Sequence, residues 1–258
     1  MIRGLWDRET VALMLLAAIL PVAVTWLVIE GPWALARLGF FLLVAGLWHV
    51  LWMLARAQPP SFAGALTALA LAMLAPEDLG IFALVLGTSF GVVMAELAFG
   101  GWGRNILNPA TVALAFLGFS FPASGWPGLA IPVGWAVIPA ALIGAAFGVI
   151  SARLLLGALA VMALAALAGI PFPDKLAIYG VVLVLLVADP VTSATTALGR
   201  WLNGALYAAL ALMFAAYWTG AHPVQLAVSA ALLTSLAAPL LDEIAIALWL
   251  TLRRRRLG

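Results

Sequence analysis

The chain has no cysteine among its 258 residues. Disulfides, iron–sulfur clusters ligated by this chain and thiol catalysis are all excluded. Charge is nearly as scarce: Asp, Glu, Lys and Arg together make up 9% of the sequence, against 66% hydrophobic residues. A soluble domain of this size needs far more surface charge. There are two histidines, His49 and His222, too far apart in sequence for a metal-ligand spacing, so no metal site is expected. Net charge is only +2, and four positive charges form the single run Arg253 to Arg256. Such a run reads as a membrane-topology signal, and no nucleic-acid partner is expected.

What is present is apolar sequence throughout, with a mean hydropathy of +1.20. Ten apolar segments are marked, at roughly 11–29, 34–55, 62–75, 80–98, 109–121, 131–149, 153–170, 176–188, 202–218 and 224–250. The first is long and contains Pro21, which reads as a span and not as a removed signal peptide. With the N-terminus in the cytoplasm, ten crossings put Arg3, Arg8, Arg56, Arg104, Arg153, Arg200 and the four terminal arginines inside. Arg37 and Lys175 are left outside with Glu30, Glu77, Asp78 and Asp174. That agrees with the positive-inside rule and predicts a multi-pass protein of the bacterial inner membrane, lipid-embedded, with both termini cytoplasmic.

Ten spans divide into halves of five, about 1–125 and 126–258, and an odd number per half makes any repeat inverted. Segments 62–75 and 176–188, each third in its half, cover only about 20 Å of a 30 Å hydrocarbon core. Ordinary tilted spans with misplaced ends give the same pattern. The fold class expected is an all-α integral membrane protein of about ten helices, arranged as two inverted five-helix repeats.

Two polar clusters interrupt this pattern on the side read as cytoplasmic. In "FGGWGRNILNPATVALAF", Gly100, Gly101 and Gly103 permit unusual backbone conformations, and Asn105 and Asn108 offer amides. Pro109 suits a first helical turn with Asn108 as its cap. A loop, a cap and the topology-setting Arg104 account for these residues; a site for a small polar heterocycle is the alternative. The second cluster, "ADPVTSATTALGRWLNG", carries Asp189, Thr192, Ser193, Thr195 and Thr196, then Gly199, Arg200 and Asn203. Intramembrane ionisable groups are candidates for an ion path, here Glu96 and Asp242. Asp242, Glu243 and His49 also fit an interfacial position, which is the reading taken for His49.

"GRNILNPATVALAFLGFSFP", "ADPVTSATTALGRWLNGALYAALALMF" and "LLTSLAAPLLDEI" resemble one membrane family. It holds RnfD of the Rnf electron-transport complex and NqrB of the Na⁺-translocating NADH:quinone reductase. Its pattern is a Gly-rich loop, N-x-x-NP, and later T-D-P-V-[ST]-A-[ST] before G-[RK]. The resemblance covers about residues 30–256. It implies a ten-helix, urea-transporter-like protein that works with the other subunits of a membrane electron-transport complex and couples electron flow to Na⁺ or H⁺. It also implies a non-covalent flavin, riboflavin or FMN, at Gly101, Gly103, Arg104, Asn105 and Asn108, framed by Asp189, Thr192 and Ser193. Family members carry a second FMN, joined to a threonine of the outer loop between spans five and six. Here that loop, "SFPASGWPGLAIP", has no threonine, so no covalent FMN is expected and the chain reads as a reduced version of the fold. The alternative is a transporter or channel of the same fold for a small solute or a flavin.

Overall fold

The computed structural model describes residues 7–57, 61–173 and 175–257, the last four by backbone alone. Arg3 and Asp174, counted in the charge balance, lie outside the described residues, as do the side chains of Arg254, Arg255 and Arg256. Among the described residues the ordered elements are all helical. In chain order they are α1 (Arg8–Glu30), α2 (Pro32–Arg56), α3 (Ala63–Leu74), α4 (Ile81–Gly91), α5 (Pro109–Ser120), α6 (Ile131–Trp135), α7 (Val137–Phe147), α8 (Ala152–Leu167), α9 (Leu176–Val182), α10 (Ala197–Tyr217) and α11 (Pro223–Leu257). Both α4 and α9 run on into a π-helical turn, Val92–Glu96 and Leu183–Val187 respectively.

Local chemistry sets the ends. The Asp7 carboxylate accepts from the Thr10 N–H at 2.8 Å and starts α1. Gly31, at φ +66°, joins α1 to α2 where a side chain would be strained, and Pro32 opens α2. The apolar run 131–149 is broken at Ala136 into α6 and α7. Pro139 explains this, because it has no N–H to give to the Trp135 carbonyl one turn back. The tenth helix of the chain, α10, begins at Ala197, five residues before the expected 202, so Gly199 and Arg200 are helical and not part of a loop.

Five helical segments are long and apolar enough to cross a bilayer: Arg8–Glu30, Pro32–Arg56, Ile81–Phe99, Ala197–Tyr217 and Pro223–Arg253. They present leucines outward, such as Leu35, Leu43 and Leu54 on α2. Five shorter ones accompany them, and α3 is buried at ten of its 12 residues. The segments expected to be short are so, but α5 is as short as α3, at 12 residues, which departs from a single matched pair. Short helices enclosed by longer ones solve a solvation problem. Non-helical backbone at membrane depth survives only where protein, not lipid, surrounds it.

Arg37 shows how one such end is satisfied. It is buried on α2, and its guanidinium donates to the carbonyls of Ala72 (2.7 Å), Ala75 and Pro76 at the C-terminus of α3. The sequence placed Arg37 among outer-side charges; its role is to cap an enclosed helix.

The tightest helix pair is α8 against α10. A methyl added at Gly157 would overlap the Trp201 carbonyl oxygen, and one at Gly204 would overlap that of Leu154. Reciprocal glycines let the two backbones touch, as small residues do between membrane helices. Gly204→Ala is therefore expected to force the pair apart, costing about 1–3 kcal/mol or more. Thermal unfolding of the detergent-purified variant checks this; an unchanged midpoint would contradict the packing.

Candidate functional site

The two polar clusters meet in space. Asn108 caps α5, its Oδ1 accepting from the N–H groups of Ala110 (3.0 Å) and Thr111 (3.2 Å). Its Nδ2 donates at 3.0 Å to Oδ2 of Asp189, 81 residues away. The other Asp189 oxygen accepts from the Val191 N–H at 3.0 Å, and the Ser193 N–H donates to the Asp189 carbonyl at 3.0 Å. Asn108, Asp189, Thr192 and Ser193 are all buried. Thr192 Oγ lies beside the Asp189 carboxylate without a hydrogen bond of ordinary geometry, and Thr111 Oγ is also buried and unpartnered.

Close packing brings α5 to this point. A methyl on Gly91 would overlap the Pro109 carbonyl oxygen, so glycine allows α4 to cross the start of α5. The chain then turns through the loop 97–108, with Gly100, Gly101 and Gly103 at φ +102°, +91° and +93°. Asn105 staples this loop, accepting from the Gly103 N–H at 3.0 Å and donating to the Leu107 carbonyl at 3.1 Å. Its amide is thereby engaged within the loop. Gly103 and Arg104 are exposed, whereas Gly101 and Trp102 are buried. Arg8 of α1 reaches the Trp102 carbonyl at 3.4 Å and so ties the loop to the first helix.

Asp242 lies elsewhere. From α11 it accepts from the N–H and hydroxyl of Thr195 (2.8 and 2.9 Å) and from those of Thr196 (2.9 and 2.6 Å). It holds the segment that leads into α10 and explains that helix's early start. Glu96 is not joined to it. Glu96 ends the π-helical turn after α4, fully buried, with His49 Nε2 3.8 Å from its Oε1. Reasoning from the sequence set His49 aside; its position at the level of Glu96, one helix over, was the available signal. Asp242→Ala is expected to lose about 1–2 kcal/mol, as a helix cap does, with Asp242→Asn losing less. Thermal melts of the two variants would show the order.

The crevice where the clusters meet is lined by Asn108 and Asp189, by Trp102 and Thr67, and by apolar side chains of α1, α3 and the turn after α9. Its volume is about 20 Å³, room for a single water. The Asn108 amide and the Asp189 carboxylate are its polar lining, together with the Thr67 side chain. It does not fit an isoalloxazine ring, since pockets for ligands of that size span about 300–1,000 Å³.

The family model for NQR2, RnfD and RnfE matches residues 2–132, a stretch that includes the glycine loop and the Asn108 cap. The B subunit of the Na(+)-translocating NADH-quinone reductase of Klebsiella pneumoniae subsp. pneumoniae is 42% identical over 81 residues, which is 31% of this chain and 20% of that protein. Its counterpart in Neisseria meningitidis serogroup A is 39% identical over 82 residues, 32% of this chain and 20% of the relative. That of Yersinia pestis is 40% identical over 81 residues, again 31% and 20%. The aligned stretch thus spans about a fifth of the length of these curated relatives. Its long apolar helices make this a multi-pass membrane protein, and the match over half its length places it in the NQR2, RnfD, RnfE family.

Proposed function

We propose that the chain is the membrane subunit of a flavin-dependent, ion-translocating electron-transport complex of the Rnf or NADH-quinone reductase type. It lies in a bacterial inner membrane with both ends cytoplasmic and couples electron transfer in partner subunits to movement of Na⁺ or H⁺. The observation that carries this reading is the Asn108–Asp189 hydrogen bond. It joins the two segments whose motifs resemble the family, so the motifs serve one place.

Two inverted halves, about 1–125 and 126–258, fit the reading. Asn108-Pro109 opens the fifth segment and His222-Pro223 the tenth, each cap residue accepting from its own helix; for His222 the donor is the Val224 N–H at 3.4 Å. The enclosed third and eighth segments both end in small-residue turns, Ala75-Pro76 and Ala188-Asp189-Pro190. With ten crossings, Arg8, Arg56, Arg104, Arg153 and Arg200 are assigned to the cytoplasmic ends, in keeping with the positive-inside rule.

In this chain Asn108 orients the start of α5 and Asp189 fixes the turn after α9, so a shift of either helix is felt at the other. Flavin, when bound in the complex, supplies the one-electron chemistry. The non-covalent riboflavin or FMN expected at Asn105 and Asn108 has no room in the closed crevice, and no step is assigned to it there. Purification of the tagged chain from its native membranes tests the reading. Redox subunits should come with it, and acid treatment should release flavin from the assembly but not from the chain isolated by itself. Recovery of the chain without redox subunits would overturn the reading. Flavin released from the isolated chain would instead show that the crevice opens.

A further inference from the structure

Glu96 is a buried carboxyl that the Asn108–Asp189 crossing does not use. It is 0% exposed, and neither of its side-chain oxygens has a hydrogen-bond partner. The nearby imidazole of His49 is also buried, and its Nε2, 3.8 Å from Oε1, has no partner either. A third orphan, the indole N–H of Trp52, belongs to a side chain packed against the small cluster of Ala45, Val92 and Leu97, of which Val92 opens the same turn and Leu97 follows it. Buried polar atoms are nearly always paired, so several orphans in one place call for an account.

The backbone around them is shaped to fit. Glu96 closes the π-helical turn Val92–Glu96, and such turns are rare and frequent at functional sites. On the other side, a methyl at Gly64 of α3 would stand 2.9 Å from His49 Nε2. Glycine there leaves the ring room that a methyl would crowd. The other charged groups whose fields reach Glu96 are Asp189, from the turn after α9, and Arg8 and Glu9 of α1, paired with each other at 3.0 Å. The neighbouring helices α3 and α5 contain no titratable residue. An ionised Glu96 would face the Asp189 carboxylate with only the Trp102 N–H near it, outside ordinary hydrogen-bond geometry, in surroundings that do not solvate charge.

We propose that Glu96 and His49 form a proton-holding pair. The carboxyl carries the proton at neutral pH and hands it to His49 Nε2 when side-chain rotation closes the gap between them. In that step the O–H bond of Glu96 breaks, its electron pair stays on the carboxylate, and an N–H bond forms on the imidazole. Nothing is oxidised or reduced. Asp189 at the crevice and the Arg8–Glu9 pair at the start of α1 both lie within electrostatic range of Glu96. Use of the Glu96–His49 pair in coupling rests on the electron-transport reading; its existence does not.

Infrared spectroscopy of the full-length chain in detergent, without redox partners, tests the pair directly. At neutral pH the protein should show the C=O stretch of a protonated carboxyl. Carbon-13 in the glutamate side-chain carboxyls should move that band, and the same label in aspartate should not. Glu96→Gln should abolish it, and His49→Gln should shift its frequency. A spectrum with no label-sensitive glutamate band at neutral pH overturns the proposal, and does so on the unmutated protein whether or not the variants fold. A band that persists in a folded Glu96→Gln variant overturns it equally. Failure of the chain to associate with redox subunits would leave this spectrum unchanged, so the two readings fall separately.

Discussion

Replacing Arg37 by methionine is expected to remove most of the folded protein. Methionine keeps the apolar stem along α2 but gives up the donors that reach the Ala72, Ala75 and Pro76 carbonyls. Hydrogen bonds from a charged donor contribute about 1.5–3 kcal/mol each, so losing two strong ones costs about 3–6 kcal/mol. Net stabilities of folded domains are about 5–15 kcal/mol, which makes that a large share. The loss is not recovered from solvent, because the C-terminus of α3 is enclosed by protein and water has little access to its carbonyls. Size-exclusion profiles of a fluorescent fusion would show loss of the monodisperse peak for Arg37→Met. Arg37→Lys should be intermediate, since an ammonium brings charge and donors but not the planar fork that spans neighbouring carbonyls. A wild-type profile for Arg37→Met would mean that the cap carries no weight.

Arg37 also marks where reading the sequence reached its limit. Apolar runs located all ten helical segments to within a few residues, because a bilayer imposes length and apolarity on anything that crosses it. Polarity in a sequence does not report depth. Arg37 looked like an outer-side charge at the start of the second span because charges in membrane proteins mostly sit near span ends, yet its partners are carbonyls 35 to 39 positions away. Thr196, Gly199 and Arg200 fell before the expected span because polar residues cluster there; Asp242, 46 residues beyond Thr196, turns the start of that cluster into a helix cap. Asn105 and Asn108 look equivalent in N-x-x-NP, but one staples its own loop and the other crosses to Asp189. The motif places both near the site and does not distinguish them. His49 and Glu96 come from different helices, and nothing in either local sequence pairs them.

Asp189→Ala should be the most damaging change at the crevice. It strands the buried Asn108 Nδ2 and the half-buried Val191 N–H at once. An orphaned buried donor costs about 1–3 kcal/mol, so the variant should lose about 2–6 kcal/mol, depending on how far water enters. Asn108→Ala has a different profile. It gives up the cap on Ala110 and Thr111, about 0.5–2 kcal/mol, and leaves a buried carboxylate short of one donor. The double variant should therefore lose less than the sum, with an interaction energy of about 1.5–3 kcal/mol, because the same hydrogen bond is counted in both single changes. Unfolding in micelles, followed for the four members of the cycle, measures that term. Asp189→Asn discriminates further. An amide can accept from Val191 through its oxygen, but it then turns its own NH₂ toward Asn108, where two donors face each other. If the hydrogen bond is what joins the two helices, Asp189→Asn should fold and still impair the assembled complex, separating the crossing's role in stability from its role in coupling. Additive single variants would show instead that α5 and the turn after α9 are held independently, and the crossing would then transmit nothing between them.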